Sequence, residues 1–512
     1  MEESVWKKVL KVASSVGALI VFIIIAYAEV YVLISSLLYE ANRFLFGRAF
    51  LVLLMLALQV FLTFFFGISL FLSAYQGKEP KGILVLIGEV LTIAMGIIMP
   101  IVMYYGRATE SSMFLNTLPY FLVGFIVMAC LLILPLAKRK VSAVIVLLLI
   151  SVLLIGGVSA FAAFGQKFEI EADPVVFDNG KDFSVVWATS SPSVGYLEYT
   201  YEGQKYRVYD AEDGKYRAND RVHTVHVPYE HLYGNSYTVS AAKVLKNAAK
   251  NSKIGDFITS RAYLFAQKVT GDSLKMLSLT DWHEKVDAIC QVASVSDDYD
   301  LLLMMGDAIN YVNEYEDIID NVVLAGGKIT KGEKPVLFVR GNHEPRGKYA
   351  YRLKSVLGYD SYYFTTSYGE ENFLILDGGE DKPDDDPKNG GLFVSDAYRD
   401  AELSEAETWS VPVGNNVCLC HIPIFTTSET SPQYKRFVSL MEKWNVKLVV
   451  SGHEHFLDLV DGDGYKTLIA GGPTDDLGFV ACRIDIAAGN AVITAINTKG
   501  ETLHSYDPIA LK

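Results

Sequence analysis

The stretch Val339-Arg340-Gly341-Asn342-His343-Glu344 decides how this chain is read. It closes a run of five apolar or β-favouring residues, Val336 to Arg340, with a glycine and three polar side chains. Such a run reads as a buried strand that ends in a turn and presents Asn, His and Glu at its carboxyl end. In open α/β sheets that edge is where the chemistry sits.

Working outward, four further strand-like runs end in the same way. Leu274-Lys-Met-Leu-Ser-Leu-Thr leads into Asp281-Trp282-His283, and Leu301-Leu-Leu-Met-Met leads into Gly306-Asp307. Val417-Cys-Leu-Cys leads into His421, and Val446-Lys-Leu-Val-Val-Ser leads into Gly452-His453-Glu454-His455. A single Asp, Asn or His at a strand end is an ordinary turn or cap residue. Five in series make a site. Carboxylate and amide oxygens mixed with imidazoles, with no cysteine among them, suit Mn, Fe or Zn rather than a thiolate site. Asp281 and His283 share an i, i+2 spacing with His453 and His455, so one short loop can serve two neighbouring metal positions. Asp307, at a glycine turn, is placed to bridge two cations. This is the layout of a two-metal hydrolase, whose ions clamp a phosphoryl group and generate hydroxide near neutral pH.

The series Asp281-x-His283, Gly306-Asp307, Gly341-Asn342-His343-Glu344, His421 and Gly452-His453-x-His455 resembles the calcineurin-like metallophosphoesterases over roughly residues 272–505. The resemblance implies an α/β four-layer β-sandwich flanked by helices, holding two divalent or trivalent transition-metal ions (Mn, Fe or Zn). By position, Asp281, His283 and His455 would hold the first metal and Asn342, His421 and His453 the second, with Asp307 bridging. Asp307 and His343 are the implied catalytic residues, with His343 protonating the leaving oxygen. Imidazole titrates in the right range for that task. Two departures stand out. Where many members carry a second Asp three residues after the bridging one, this chain has Asn310. Tyr311 lies one place late for the tyrosine ligand of purple acid phosphatases, so no tyrosinate–iron colour is expected.

Residues 167–270 change character. Asp182-Phe-Ser-Val-Val-Trp-Ala-Thr, Val194-Gly-Tyr-Leu-Glu-Tyr-Thr-Tyr, Thr224-Val-His-Val-Pro and Ser236-Tyr-Thr-Val-Ser alternate apolar and polar residues between turn clusters. The pattern predicts an immunoglobulin- or fibronectin-III-like β-sandwich that positions the catalytic domain, 271–512. A sandwich ahead of a Gly-Asn-His-Glu enzyme also resembles purple acid phosphatases.

The front third, 1–166, is different again. It holds 11 Lys/Arg, 7 Glu and no Asp, leaving 34 basic and 52 acidic residues in the rest. Five apolar runs, roughly 12–37, 49–74, 83–105, 115–136 and 141–164, are each long enough to cross about 30 Å of hydrocarbon as a helix. An α-helical transmembrane bundle is expected there, with lipid as its partner. Lys7, Lys8, Lys11, Lys78, Lys81, Lys138, Arg139 and Lys140 flank one side of the spans, against Arg43, Arg48 and Arg107 on the other. The positive-inside rule then places the amino terminus in the cytoplasm and the catalytic domain outside. The acidic remainder repels a phosphate backbone, so no nucleic-acid partner is expected. Cys130, Cys290, Cys418, Cys420 and Cys482 sit in apolar contexts and read as free thiols, compatible with a bacterial cell envelope.

The expected function is a multi-pass, membrane-anchored phosphoesterase at the outer face of the plasma membrane. It would hydrolyse a phosphate mono- or diester by attack of a metal-bound hydroxide. Two rival classes are an inactive receptor or scaffold built on the same fold, and a transporter with an appended hydrolase. Glu29 and Glu89, inside apolar runs, are the support for the transporter.

Overall fold

The computed structural model describes residues 168–512, apart from 213, 218–219, 249, 297, 381, 383, 388–390, 424–431, 463 and 476. The five expected spans, with Glu29 and Glu89, lie outside the described residues. Among the described residues no helix is long and apolar enough to cross a membrane. Residues Phe168–Lys512 form one compact unit.

Two sheets face each other across the catalytic part. The first runs Thr502–Ser505, Asn490–Asn497, Gly478–Ala487, Ser273–Leu279, Leu301–Met304 and Pro335–Phe338. The second runs Phe364–Tyr368, Glu371–Leu376, Asn415–Cys420, Leu448–Ser451, Lys466–Ala470 and Leu457–Asp461. The central strands of both sheets pair in parallel. They are fully buried runs such as Leu301–Met304 and Leu448–Ser451, as strands covered on both faces must be.

Alternate side chains along each strand then serve different cores. Leu301, Leu303, Leu337, Ile375, Leu419 and Val450 fill the space between the sheets. Leu302, Met304, Val336 and Phe338 turn outward under Ile289, Val292, Val322 and Leu353 of the covering helical segments. On the far side Leu374, Cys418 and Val449 lie under Leu403, Phe437, Leu440 and Trp444. The result is a helix–sheet–sheet–helix stack. Cys418, Cys420 and Cys482 are buried free thiols within it, and Cys290 is a half-buried one.

The middle segment is rich in strands, with a feature its alternation pattern does not reveal. Val175–Asp178 pairs in parallel with Pro335–Phe338, Val176 opposite Pro335, so it prolongs the first catalytic sheet. The long strand Phe183–Tyr201 follows antiparallel to it. This strand bends at Thr189–Ser193, where its register against Asp220–Val227 shifts. Before the bend it pairs with Asp220–Val227, and beyond it with Gln204–Tyr209 and Ser236–Lys246. A strand that changes layers in this way makes the corner of a two-layer packing. Phe183, Val185 and Trp187 from one half and Leu197 and Tyr199 from the other share one core with Val225, Val239 and Phe265.

A buried polar chain sits at the corner. Thr189 Oγ1 lies 2.8 Å from Ser193 Oγ, which lies 2.6 Å from His223 Nε2. His223 Nδ1 is 2.7 Å from Asp210 Oδ2, and the other carboxylate oxygen is ion-paired with Arg217 at 3.2 Å. Ser193, His223 and Asp210 have the connectivity of a hydrolytic triad, but all three are buried. No substrate reaches the hydroxyl. The chain ties the bend instead.

A second buried carboxylate links the two parts. Asp178 accepts hydrogen bonds from Gly180 N, Tyr229 Oη, Thr366 Oγ1 and Tyr368 Oη, the last two on the edge of the second catalytic sheet.

Candidate metal centre

The carboxyl ends of the parallel strands Ser273–Leu279, Leu301–Met304, Asn415–Cys420 and Leu448–Ser451 open toward one hollow, with the loop after Pro335–Phe338. Backbone strain is concentrated there. Asp281, His283, Glu284, Asp307, His453 and His455 all have positive φ, between 40° and 72°. Non-glycine residues adopt that region at a cost and only where the surroundings impose it, a pattern typical of functional sites. The loops also pack with no room to spare. A Cβ at Gly341 would collide with the Asp307 carboxylate, and one at Gly452 would collide with Thr280 Oγ1.

Two groups of three donors face each other in the hollow: Asp281, His283 and His455, then Asp307, His421 and His453. In the first, His283 Nε2 is 3.2 Å from His455 Nε2, and His455 Nε2 is 3.3 Å from Asp281 Oδ1. In the second, His421 Nε2 is 3.3 Å from Asp307 Oδ2, and Asn342 Oδ1 is 3.0 Å from His453 Nδ1. The groups adjoin, since His283 Nε2 is 3.9 Å from Asp307 Oδ2 and His421 Nε2 is 3.9 Å from Asp281 Oδ1. All seven residues expected as ligands are therefore brought together, with the Asp307 carboxylate between the groups.

The donor set fits a pair of cations on two counts. Ligand atoms about 2.1 Å from one tetrahedral or octahedral ion stand about 3.0–3.4 Å from each other, and the His283–His455, His455–Asp281 and His421–Asp307 distances fall in that range. Asp281 Oδ1 and His421 Nε2, both aimed into the hollow, are also buried with no hydrogen-bond partner. Such orphans are rare unless a ligand accounts for them. Burial alone would lower the pKa of His421, but Asp307 and Asp281 outweigh it and raise the imidazole to about 10. His283, where burial wins, is held below its usual value.

The surroundings hold the ligands. His421 Nδ1 lies 2.5 Å from the Met305 carbonyl, which fixes its tautomer and aims Nε2 into the hollow. Asp281 Oδ2 accepts from His453 N, and Asp307 Oδ1 accepts from His343 N. Glu344, which the sequence left without a task, accepts hydrogen bonds from Asp307 N, Ala308 N and Gly341 N and locks the two loops together. Burial, with the Asp307 charge, pushes its carboxyl up to about 7 against those bonds.

His343 stands beside the two groups, its Nε2 3.9 Å from Asp307 Oδ2. Its Nδ1 is 2.9 Å from the backbone carbonyl of Asn310, so the main chain orients the ring at the place where the expected Asp is missing. Tyr311 is half-exposed, its ring centroid 6.0 Å from that of His343. Arg340 points away from the hollow. It is ion-paired with Asp377, and its guanidinium lies 4.1 Å over the Tyr362 ring. Asp384 takes a structural role, accepting from Ser395 N at the start of the helix Ser395–Ala406.

One residue escaped the sequence reading. Arg346 Nη1 is 3.0 Å from His343 Nε2, and its Nε and Nη2 are held by Glu380 at 2.8 and 2.6 Å. The available signal was an arginine three residues after His343 in the same loop. Its buried partner Glu380, far along the chain, gave none.

Residues 274–457 match the family model of the calcineurin-like phosphoesterases, and every residue of both donor groups lies within them. A search of characterised proteins returned no match. Among solved structures, the purple acid phosphatase PPD1 from yellow lupin (Lupinus luteus) seeds is similar at 14% identity. That alignment covers 65% of this chain and 73% of that one, with a TM-score of 0.46. GAP50, the anchor in the inner membrane complex of Plasmodium, aligns at 15% identity over 47% of this chain and 90% of its own, with a TM-score of 0.34. The phosphopantetheinyl hydrolase of Mycobacterium tuberculosis aligns at 14% identity over 40% and 90%, with a TM-score of 0.28. The chain carries a calcineurin-like phosphoesterase domain and is a metal-dependent phosphoric ester hydrolase.

Proposed function

We propose that this protein is a dinuclear-metal phosphoesterase acting on a phosphate mono- or diester, carried by its apolar front third at the outer face of the plasma membrane of a bacterial envelope. The observation that supports the reading best is the pair of abutting three-donor groups with Asp307 between them. Asp281, His283 and His455 would hold one ion, and His421, His453 and Asn342 the other, with Asp307 shared. When bound, such a pair supplies Lewis acidity to the phosphoryl oxygens and lowers the pKa of water.

The chain's own residues supply the rest. His343 faces the shared carboxylate, and its ring is oriented from behind by the Asn310 carbonyl. A carbonyl accepts from Nδ1–H in both charge states of the ring, which leaves Nε2, facing Arg346 Nη1, as the nitrogen that would take up a proton and pass it to the leaving oxygen. Glu344 keeps the bridging carboxylate and the Asn342–His343 turn in register through its three backbone bonds. Proton delivery then depends on a fixed distance between His343 and the phosphoryl group.

The test is chelation followed by addition of Mn, Fe or Zn, with turnover of p-nitrophenyl phosphate and of its bis-ester measured. Turnover lost on chelation and restored by one of these metals is expected; none with any metal would sink the reading. Protease accessibility of the catalytic domain on intact cells checks the outward orientation.

A further inference from the structure

We propose that Arg346, clamped by Glu380, recognises the third non-bridging phosphoryl oxygen and so makes this site selective for phosphate monoesters over diesters. The inference rests on the phosphoesterase reading above.

The guanidinium is used asymmetrically. Its Nε and Nη2 edge is given to the two carboxylate oxygens of Glu380, a parallel two-bond pairing of the strong kind. Nη1 faces His343 Nε2, 3.0 Å away, and that nitrogen is itself 3.9 Å from Asp307 Oδ2. The donor therefore sits at the edge of the two metal groups, on the side of the proton donor. Glu380 is fully buried, and its carbonyl accepts from Arg399 Nη1 at 2.6 Å. The arginine is thus held from behind by a fixed anion rather than waving in solvent, and it is already oriented when the substrate arrives.

Counting acceptors gives the substrate class. A diester carries two non-bridging oxygens, and two ions suffice for them. A monoester carries a third, with additional negative charge. An arginine presents N–H groups and never accepts. Beside His343 at the edge of the donor groups, Nη1 would answer the oxygen that a diester has replaced with an ester arm. In the absence of substrate His343 Nε2 takes that hydrogen bond, its other nitrogen facing the Asn310 carbonyl. Entry of a terminal phosphate would transfer the Nη1 bond to the substrate and leave Nε2 to take up a proton, brought by the phosphate monoanion or a water, and pass it to the leaving oxygen.

The metal-loaded full chain and its Arg346→Gln and Arg346→Lys variants are compared on p-nitrophenyl phosphate and bis(p-nitrophenyl) phosphate, with inorganic phosphate as competitive inhibitor. The wild type is expected to favour the monoester in kcat/KM. Arg346→Gln should lower kcat/KM for the monoester by about 10²-fold, the low end for removal of one fixed oxyanion donor, and weaken phosphate inhibition. Its effect on the bis-ester should be no more than a few-fold, and lysine should restore part of the monoester rate. Glu380→Gln, which keeps the shape, should give a smaller loss with the same ester bias. Equal losses on both esters, or unchanged phosphate inhibition, would overturn the proposal in favour of a purely structural Arg346–Glu380 pair. A wild type inert toward both esters with Mn, Fe and Zn alike would instead overturn the hydrolase reading beneath it.

Discussion

Two histidine networks in this molecule are built from nearly the same parts and do opposite things. At the carboxyl ends of the catalytic strands, His421, His283 and their neighbours converge on Asp307 and Asp281, and several of their buried polar atoms have no partner. At the corner of the long strand Phe183–Tyr201, His223 has a partner at each ring nitrogen, Ser193 on one side and Asp210 on the other. The first network is a donor set that a cation would complete. The second meets both ring nitrogens of its histidine within the chain, and it holds a bend. Residue type does not separate them. Convergent, unmet donor capacity does, together with the positive φ values found at the first and not the second.

Removing metal should break the comparison most visibly. Chelation is expected to abolish turnover and to lower the thermal midpoint, because the ions offset charges that the fold otherwise leaves facing one another. Asp307→Asn should do nearly as much, emptying at least one position by metal analysis and leaving no measurable activity. His343→Gln should keep both ions while slowing turnover by about 10²–10⁴-fold, the usual range for a lost general acid. If that variant instead loses metal, the histidine belongs among the ligands.

The second network predicts the reverse pattern. Ser193→Ala leaves His223 Nε2 buried without its partner, and should cost about 1–3 kcal/mol in urea unfolding while leaving kcat and metal content unchanged. A loss of activity at constant stability would show that the bend reports to the site. The smallest effect sharpens the rule about orphans. Glu402 Oε2 is also buried and unpartnered, but it stands alone under the second sheet, where burial and the Asp377 charge push its carboxyl up to about 8. A lone orphan can be met by a proton. Because the folded pKa lies above the unfolded one, this group contributes stability that is complete below about 4.5 and drains away as pH rises through about 8. Glu402→Gln should therefore flatten the fall in unfolding free energy between about pH 5 and 8.

Much of this site is legible in the chain because each ligand ends an apolar strand, and strand-end residues of a parallel sheet share an edge by construction. Asp281, Asp307, Asn342, His421 and the His453–His455 pair could be gathered without coordinates. What the sequence withheld depends on contacts between loops. The carbonyl of Asn310 replaces an absent carboxylate, and a main-chain atom leaves no mark in a sequence. Arg346 gains its meaning from Glu380, and Glu344 from backbone amides on another strand's loop. In the middle segment, alternation revealed the strands, but strand partners are set by tertiary packing. The pairing of Val176 with Pro335 is therefore invisible in either stretch alone.

That pairing has a consequence for how the protein is made. Pro335–Phe338 leads directly into Gly341-Asn342-His343-Glu344, and one of its flanks is completed by residues synthesised long before it. Contacts so distant in sequence close late, so the nascent middle segment must wait, its strand edge open, until the catalytic strands have emerged. A truncated 271–512 fragment would expose the same hydrogen-bonding edge permanently, next to the loop that carries His343. Such an edge recruits other chains. Soluble expression of the hydrolase is therefore expected only when the residues from Val175 onward are kept with it, which the soluble yields of 168–512 and 271–512 would check.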